Sequence, residues 1–148
     1  MPGGTLGMIR LGRYYDDGSG AARDRELARS WFEQAFEAAQ HNAQTGDVAA
    51  METMALLFRD GLGVKRDEGQ ALSWYRKAAD AGSASGMYNV GYCYEVGSGV
   101  GKDYVEAMSW FRRSADAGDE IAMMEIGYLY GHGFGADLDY WDITVLVS

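Results

Sequence analysis

The chain carries one proline and one cysteine in 148 residues, fewer cations than anions, and no long apolar run. Each shortage excludes something. With 21 glycines beside the single proline, the composition points to helices punctuated by glycine rather than to a low-complexity coil. The lone Cys93 can form no intramolecular disulfide and has no second cysteine at metal-ligand spacing, so a reducing compartment is permitted. The first ten residues, Met1 to Arg10, lack the basic stretch and apolar core of a signal peptide. No segment approaches the ~18 apolar residues of a membrane span. The expectation is a cytoplasmic chain that does not insert into a membrane. Thirteen Lys and Arg against 22 Asp and Glu leave a net charge of -9 and a pI near 4.6. That balance disfavours nucleic acid and anionic lipid, both of which are bound by neutralising phosphates, and serves solubility instead. What is abundant is apolar side chain, 47% of the residues, enough for the core of one domain over residues 1–148.

An internal repeat organises the sequence. Trp74 and Trp110, Gly82 and Gly118, and Gly61, Gly97 and Gly133 all recur at a spacing of 36, a solenoid-type period. An earlier copy aligns at an offset of 43, pairing Gly18, Gly20, Asp24, Ala28 and Trp31 with Gly61, Gly63, Asp67, Ala71 and Trp74. Because Gly46 to Gly82 is again 36, seven extra residues lie between Trp31 and Gly46, close to two helical turns. The repeats are placed at about 5–46, 47–82 and 83–118, with a partial fourth at 119–148, and the second helix of the first copy is expected to be the longer one.

Each copy divides into a helix A and a helix B. In the second copy Ala50, Met51, Met54, Ala55 and Phe58 fall at helical spacing. Helix A is expected to end at Gly61, Gly97 or Gly133 in the left-handed conformation that glycine adopts at least strain. Asp24, Asp67, Asp103 and Asp139 share one column, where a carboxylate caps helix B by accepting an orphan N–H at the positive end of its dipole. Trp31, Trp74 and Trp110 are read as the packing anchors, each able to bury roughly 150–250 Å². Small residues at Ala28, Ala71, Ala107, Gly12, Gly91 and Gly127 are read as setting the distance between helices.

The segment from Val90-Gly-Tyr-Cys-Tyr-Glu-Val-Gly-Ser-Gly-Val-Gly-Lys-Asp through Ser-Ala-Asp-Ala-Gly118 resembles a Sel1-like repeat, a relative of the tetratricopeptide repeat, and the copy ending at Gly82 matches equally well. The resemblance runs over nearly all of residues 5 to 140. It implies an all-α fold, an α/α right-handed superhelix (solenoid) of antiparallel helix pairs, and a non-enzymatic scaffold or adaptor for a protein or peptide. The fourth copy departs from the pattern, with Ile143 in the alanine column, Leu146 in the tryptophan column and β-branched residues through Val147. Neither end shows the polar capping helix of a solenoid. That points to a truncated array, or to a homodimer covering an apolar end, which makes self-assembly the alternative function.

The motifs that hint at other chemistry have plainer readings. Gly97-Ser-Gly-Val-Gly-Lys102 is similar to a phosphate-binding loop, but Val96 and Asp103 stand where that motif needs glycine and Ser or Thr. A repeat turn explains it, and Gly131-His-Gly-Phe-Gly135 is the same turn. His41 and His132 have no companions at ligand spacing and are read as surface residues. Asp137-Leu-Asp-Tyr-Trp-Asp142 lacks the glycine and distal glutamate of an EF-hand loop. No metal or cofactor is implied. Some proteins of the Sel1-like group are similar to β-lactam-binding enzymes, so an acylating serine was sought. The chain has no Ser-x-x-Lys, Ser-Asp-Asn, Lys-Thr-Gly or Gly-x-Ser-x-Gly, since Ala84 occupies the nucleophile's place in Gly82-Ser-Ala-Ser-Gly86. Cys93, between tyrosines in an apolar helix, reads as a buried thiol.

The A helices of stacked pairs line the concave surface, so columns that vary between copies are the recognition positions the pattern favours. One column holds Arg13, Leu56, Tyr92 and Tyr128, a second Arg10, Thr53, Asn89 and Glu125, and a third Ile9, Glu52, Tyr88 and Met124. The candidate partner-binding residues are Arg10, Arg13, Glu52, Thr53, Tyr88, Asn89, Tyr92, Glu125 and Tyr128. Tyrosines beside a polar row serve as rigid anchors in binding surfaces. The plainer alternative is that the tyrosines fill space between helices.

Overall fold

The structure is a computed structural model and describes residues 4–20 and 22–134. Seven helices and no strand occur among these residues: α1 Gly4–Asp17, α2 Arg25–Gln44, α3 Val48–Asp60, α4 Glu68–Asp80, α5 Ala84–Val96, α6 Tyr104–Asp116 and α7 Glu120–Gly131. Odd-numbered helices are the A helices and even-numbered ones the B helices. The chain separates into two compact units, Met1–Ala78 and Ala79–Ser148. Asp139, the acidic run 137–142 and the β-branched stretch 143–147 lie outside the described residues.

The seven-residue insertion is taken up by helix, because α2 has 20 residues where α4 and α6 have 13. The B helices start as the sequence predicts. Asp24 accepts from the Leu27 N–H at 3.0 Å, Asp67 from Gln70 at 3.0 Å, and Asp103 from Val105 and Glu106 at 3.0 and 3.1 Å. The backbone N–H groups of these aspartates also donate back, to the carbonyls of Tyr15, Phe58 and Tyr94, each at 2.9 Å. One residue type thus closes the turn twice, with its main chain on helix A and its side chain on helix B. The A helices have caps of their own at Asp47, Ser83 and Asp119, a second acceptor column directly after Gly46, Gly82 and Gly118 that the sequence reading passed over.

Helices α3 and α5 end at Gly61 and Gly97 with φ of 69° and 76°, as expected for left-handed caps. Helix α7 stops at Gly131 with His132 as its cap, while Gly133 keeps the left-handed φ of 72°. Gly63 is constrained more tightly. Its φ is +71°, and a Cβ there would stand 2.3 Å from the Phe32 carbonyl oxygen, a backbone atom that cannot swing away.

The packing anchors are not the tryptophans. Trp31, Trp74 and Trp110 are half-buried, and the fully enclosed ring is the next residue in each copy: Phe32, Tyr75 and Phe111. The reason lies on helix A. A Cβ on Gly12 would meet the Phe32 ring at 2.4 Å, and one on Gly91 the Phe111 ring at 2.8 Å, so each ring fills the space of an absent side chain. Two of the indoles take cations, Lys77 over Trp74 at 3.9 Å and Arg113 over Trp110 at 4.1 Å. Gly127, read as a close-approach glycine, is exposed, and no described atom would lie within 4 Å of its Cβ.

In the first unit α1 packs on α2 and α2 on α3. Its core joins Met8, Ile9, Ala35, Ala39, Ala43, Ala50, Met54 and Leu57. Alanine at four-residue steps along α2 keeps that long helix close to its neighbours. In the second unit α6 packs between α5 and α7 around Met108, Phe111, Ile126 and Leu129. The buried Ser114 hydroxyl donates to the Ala84 carbonyl at 2.7 Å, tying α6 to the start of α5.

Phe111→Ala is expected to cost about 3–5 kcal/mol in urea unfolding and Trp110→Ala clearly less; the reverse order would restore the tryptophan as anchor. Gly63→Ala is expected to cost about 1–3 kcal/mol, and more than Gly46→Ala. Gly46 is equally left-handed at φ +93° but has nothing within 4 Å of its Cβ, so the difference between the two measures the clash with the Phe32 carbonyl.

Candidate partner-binding surfaces

Five of the expected contact residues fall in the second unit, and electrostatics tie three of them, Tyr88, Tyr92 and Glu125, to one neighbourhood. Tyr88 is half-buried with its ring 5.5 Å from that of Phe111, so its inner face belongs to the core. Burial first, then the Glu125 and Glu95 carboxylates, push the Tyr88 hydroxyl above its ordinary value. Glu95 is itself pushed up, by burial and then by Glu125, with Lys102 pulling the other way. Tyr92 on α5 and Tyr128 on α7 stand 47% and 52% exposed. Asn89 donates its side-chain N–H to the Ser85 carbonyl at 2.9 Å. Tyr128 lies against His132, ring centroids 4.2 Å apart, which turns that histidine to aromatic packing at the surface. Glu95 lies a helical turn beyond the compared columns, at i+3 from Tyr92, so column comparison alone does not reach it.

The four expected residues of the first unit do less together. Arg13 donates to Asp60 at 3.1 Å, and Arg59 donates to the other oxygen of the same carboxylate at 2.8 Å. The Arg59 hydrogen bond is the main force holding Asp60 below the ordinary carboxylate range, with the charges of Arg59 and Arg13 adding to it. Arg10 is exposed. Thr53 spends its hydroxyl on the Ala49 carbonyl at 2.9 Å, and Glu52 is half-buried. Ile9, from the same column as Tyr88, is a core residue.

Two clefts in the first unit escaped the column reading. One of about 480 Å³ is lined by Asp16, Arg25, Arg29, Glu33, Asp60 and the Gly61–Val64 turn, and its charges of both signs compensate one another. The other, of about 600 Å³, is lined by Phe36, Gln40, Met54, Phe58, residues 64–67, Gln70 and Trp74. The signal that could have found the second is the Lys65-Arg66 pair in an acidic chain, beside the seven-residue insertion. Cys93 is buried, as expected. Among the described residues no three His, Cys, Asp or Glu side chains gather as metal ligands, and no helix is long and apolar enough to cross a membrane.

The family model described as Sel1 repeat matches residues 5–39, 48–83, 84–119 and 121–140. Among solved structures, a Sel1 repeat protein from Oxalobacter formigenes is 33% identical over 88% of this chain and 51% of its own, with a TM-score of 0.59. The protective antigen c5321 of uropathogenic Escherichia coli, which displays an SLR fold, is 32% identical over 88% of this chain and 27% of its own, at 0.60. The cysteine-rich protein B of Helicobacter pylori shares the fold at 18% identity, over 80% of this chain and 86% of its own, with a TM-score of 0.58. The chain therefore spans about half the length of the first of these relatives and about a quarter of the second. Among curated proteins none matches.

Two carboxylates with opposite shifts give opposite pH signatures. Asp60, held low, contributes stability that is present above its unfolded value of about 3.9 and lost as pH falls through the folded one. Glu95, held high, favours the fold below its unfolded value of about 4.3, and that contribution is lost as pH rises through the folded value. In thermal melts at pH 7, Asp60→Asn should lower Tm and Glu95→Gln should raise it, each by roughly 1–2 °C. The Glu95 difference should close as pH falls below about 4, and the Asp60 difference only as pH falls further, through its folded value.

Proposed function

Since the chain belongs to the Sel1 repeat family, a fold that is generally a non-enzymatic scaffold for protein interactions, we propose that it is an adaptor that performs no chemistry and holds a protein or peptide on the A-helix face. The residues taken to carry the contact are Tyr88, Asn89, Tyr92, Glu125 and Tyr128, with Arg10, Arg13, Glu52 and Thr53 contributing from the first unit. The observation that carries this reading is the pair of exposed tyrosines in one repeat column, Tyr92 and Tyr128. A large aromatic side chain left half in water adds little to the fold, yet it presents apolar area at low entropic cost to a partner. The half-buried Tyr88 on the same helix as Tyr92 is supported by Phe111 and so is preorganised.

The test is an affinity capture comparing the wild type with the Tyr92→Ala/Tyr128→Ala pair, accompanied by melting curves. The expected outcome is a prey lost only from the double variant, with Tm changed by less than about 3 °C. A large fall in Tm instead would mean that the tyrosines are packing residues, and the proposed face would be wrong.

One observation favours self-assembly as a second reading. Helix α7 exposes Ile121, Met123 and Met124 at 57%, 52% and 74%, a concentration of apolar surface that a second copy would cover. Analytical ultracentrifugation over a hundredfold range of concentration separates the two, since a mass that stays monomeric throughout removes this alternative.

A further inference from the structure

The acidity of the chain is concentrated in one of its two units. From Ala79 onward 3 Lys and Arg stand against 11 Asp and Glu, whereas residues 1–78 hold 10 against 11. The 35 residues after Arg113 contain no Lys or Arg, so that stretch of the chain supplies no cation to offset the excess.

Part of this charge gathers at the exposed tyrosines. Glu95 on α5 lies three residues from Tyr92, and Glu125 on α7 three residues from Tyr128, so each carboxylate neighbours a ring on its own helix surface. Both carboxylates are half-buried, while Tyr92, Tyr128 and the adjoining Met124 are exposed. The two helices present them to one region, since both carboxylates act on Tyr88 and Glu125 pushes Glu95 above its ordinary value.

Among the described residues this charge is not neutralised. The ion pairs there, Arg13–Asp60, Arg59–Asp60 and Arg66–Glu68, all belong to the first unit. Of the second unit's cations, Arg113 lies over Trp110 at 4.1 Å and Arg112 donates to the Tyr130 hydroxyl. Lys102 lies over the Tyr104 ring at 5.3 Å and is the weakest of the three influences on Glu95. Asp119, which also acts on Tyr88, keeps its negative charge while capping α7. Packing does not demand this sign. Arg10 shares the column of Glu125, and Arg59 stands 36 residues before Glu95, so the same helix positions fold with cations in the first unit.

The first unit also shows what satisfies such a pair of groups. Arg59 donates to the Asp60 carboxylate at 2.8 Å and to the Tyr75 hydroxyl at 3.4 Å, one guanidinium serving a carboxylate and a tyrosine together.

We propose that the α5 and α7 face recognises a basic, arginine-bearing segment of a partner protein, with guanidinium groups over Tyr92 and Tyr128 that pair with the Glu95 and Glu125 carboxylates. This partner chemistry rests on the reading of the A-helix face as the contact surface. The rings supply apolar area at low entropic cost, and charge-assisted hydrogen bonds to the carboxylates supply direction. Arginine is preferred to lysine because its planar fork stacks and pairs at once.

The experiment is an NMR titration of the full chain, labelled with nitrogen-15, with three blocked pentapeptides. Ac-Gly-Arg-Leu-Arg-Gly-NH2 is the probe, Ac-Gly-Gln-Leu-Gln-Gly-NH2 removes its charge, and Ac-Gly-Glu-Leu-Glu-Gly-NH2 reverses it. The expected result is saturable shifts of the Tyr92, Glu95, Glu125 and Tyr128 backbone N–H signals with the arginine peptide alone. The combined substitutions Glu95→Gln and Glu125→Gln keep the side-chain shape and should weaken it by about tenfold or more. Equal shifts of the same signals by the glutamine or glutamate peptide would overturn the basic partner and leave the A-helix face standing. Arginine-peptide binding that the glutamine pair leaves unchanged, shifts confined to other residues, or no shift up to about 5 mM would each overturn the proposal as well. Failure of the face itself is read separately, from the capture and melting curves of the Tyr92→Ala/Tyr128→Ala pair.

Discussion

The first and third copies stand on one contact, an aromatic ring seated where helix A has no side chain. Phe32 against Gly12 and Phe111 against Gly91 leave no room for even one carbon atom. The close approach of helix B to helix A follows, and with it the burial of Ala28 and Ala107 one turn earlier on the same helices. The neighbouring tryptophan is left half-buried, and in Trp74 and Trp110 a cation lies over the ring. Phe32 acts twice, since its ring fills the space above Gly12 and its carbonyl lies against Gly63.

That contact needs the turns to deliver the helices at a fixed angle, and the aspartate column does so. Its main-chain N–H is bound to the end of helix A and its carboxylate to the start of helix B. A rigid scaffold of this kind frees exposed positions from structural duty. Tyr92, Tyr128, Lys65 and Gln40 can vary without cost to the core, as a family of interaction scaffolds requires. The two regions also differ in charge: Glu95 and Glu125 crowd the tyrosine face, whereas Lys65, Arg66 and Asp67 line the aromatic cleft.

The candidate residues were legible in unequal measure. Tyr92 and Tyr128 could be singled out because a repeat lets columns be compared, and a column that changes from arginine to leucine to tyrosine has no one packing duty, although its Leu56 does lie against the core. Ile9 shows the limit of that reasoning, since it shares the column of Tyr88 and Met124 yet is enclosed among core residues of α2 and α3. The aromatic cleft belongs to no column at all. Its walls come from α2, α3, α4 and the turn between them, residues far apart in the chain that share no periodicity.

By itself the sequence determined the helical repeat, its period, the capping aspartates, the left-handed glycines and the place of the insertion, because each depends on backbone geometry within a few residues. Only the tertiary structure decided which of two adjacent aromatic residues is enclosed. Trp110 and Phe111 differ by 100° around one helix, and both are apolar enough to be the anchor. The choice between them is made by Gly91, a residue nearly two turns of another helix away from the turn that joins them, and spacing along the chain does not report which face of α6 that glycine meets.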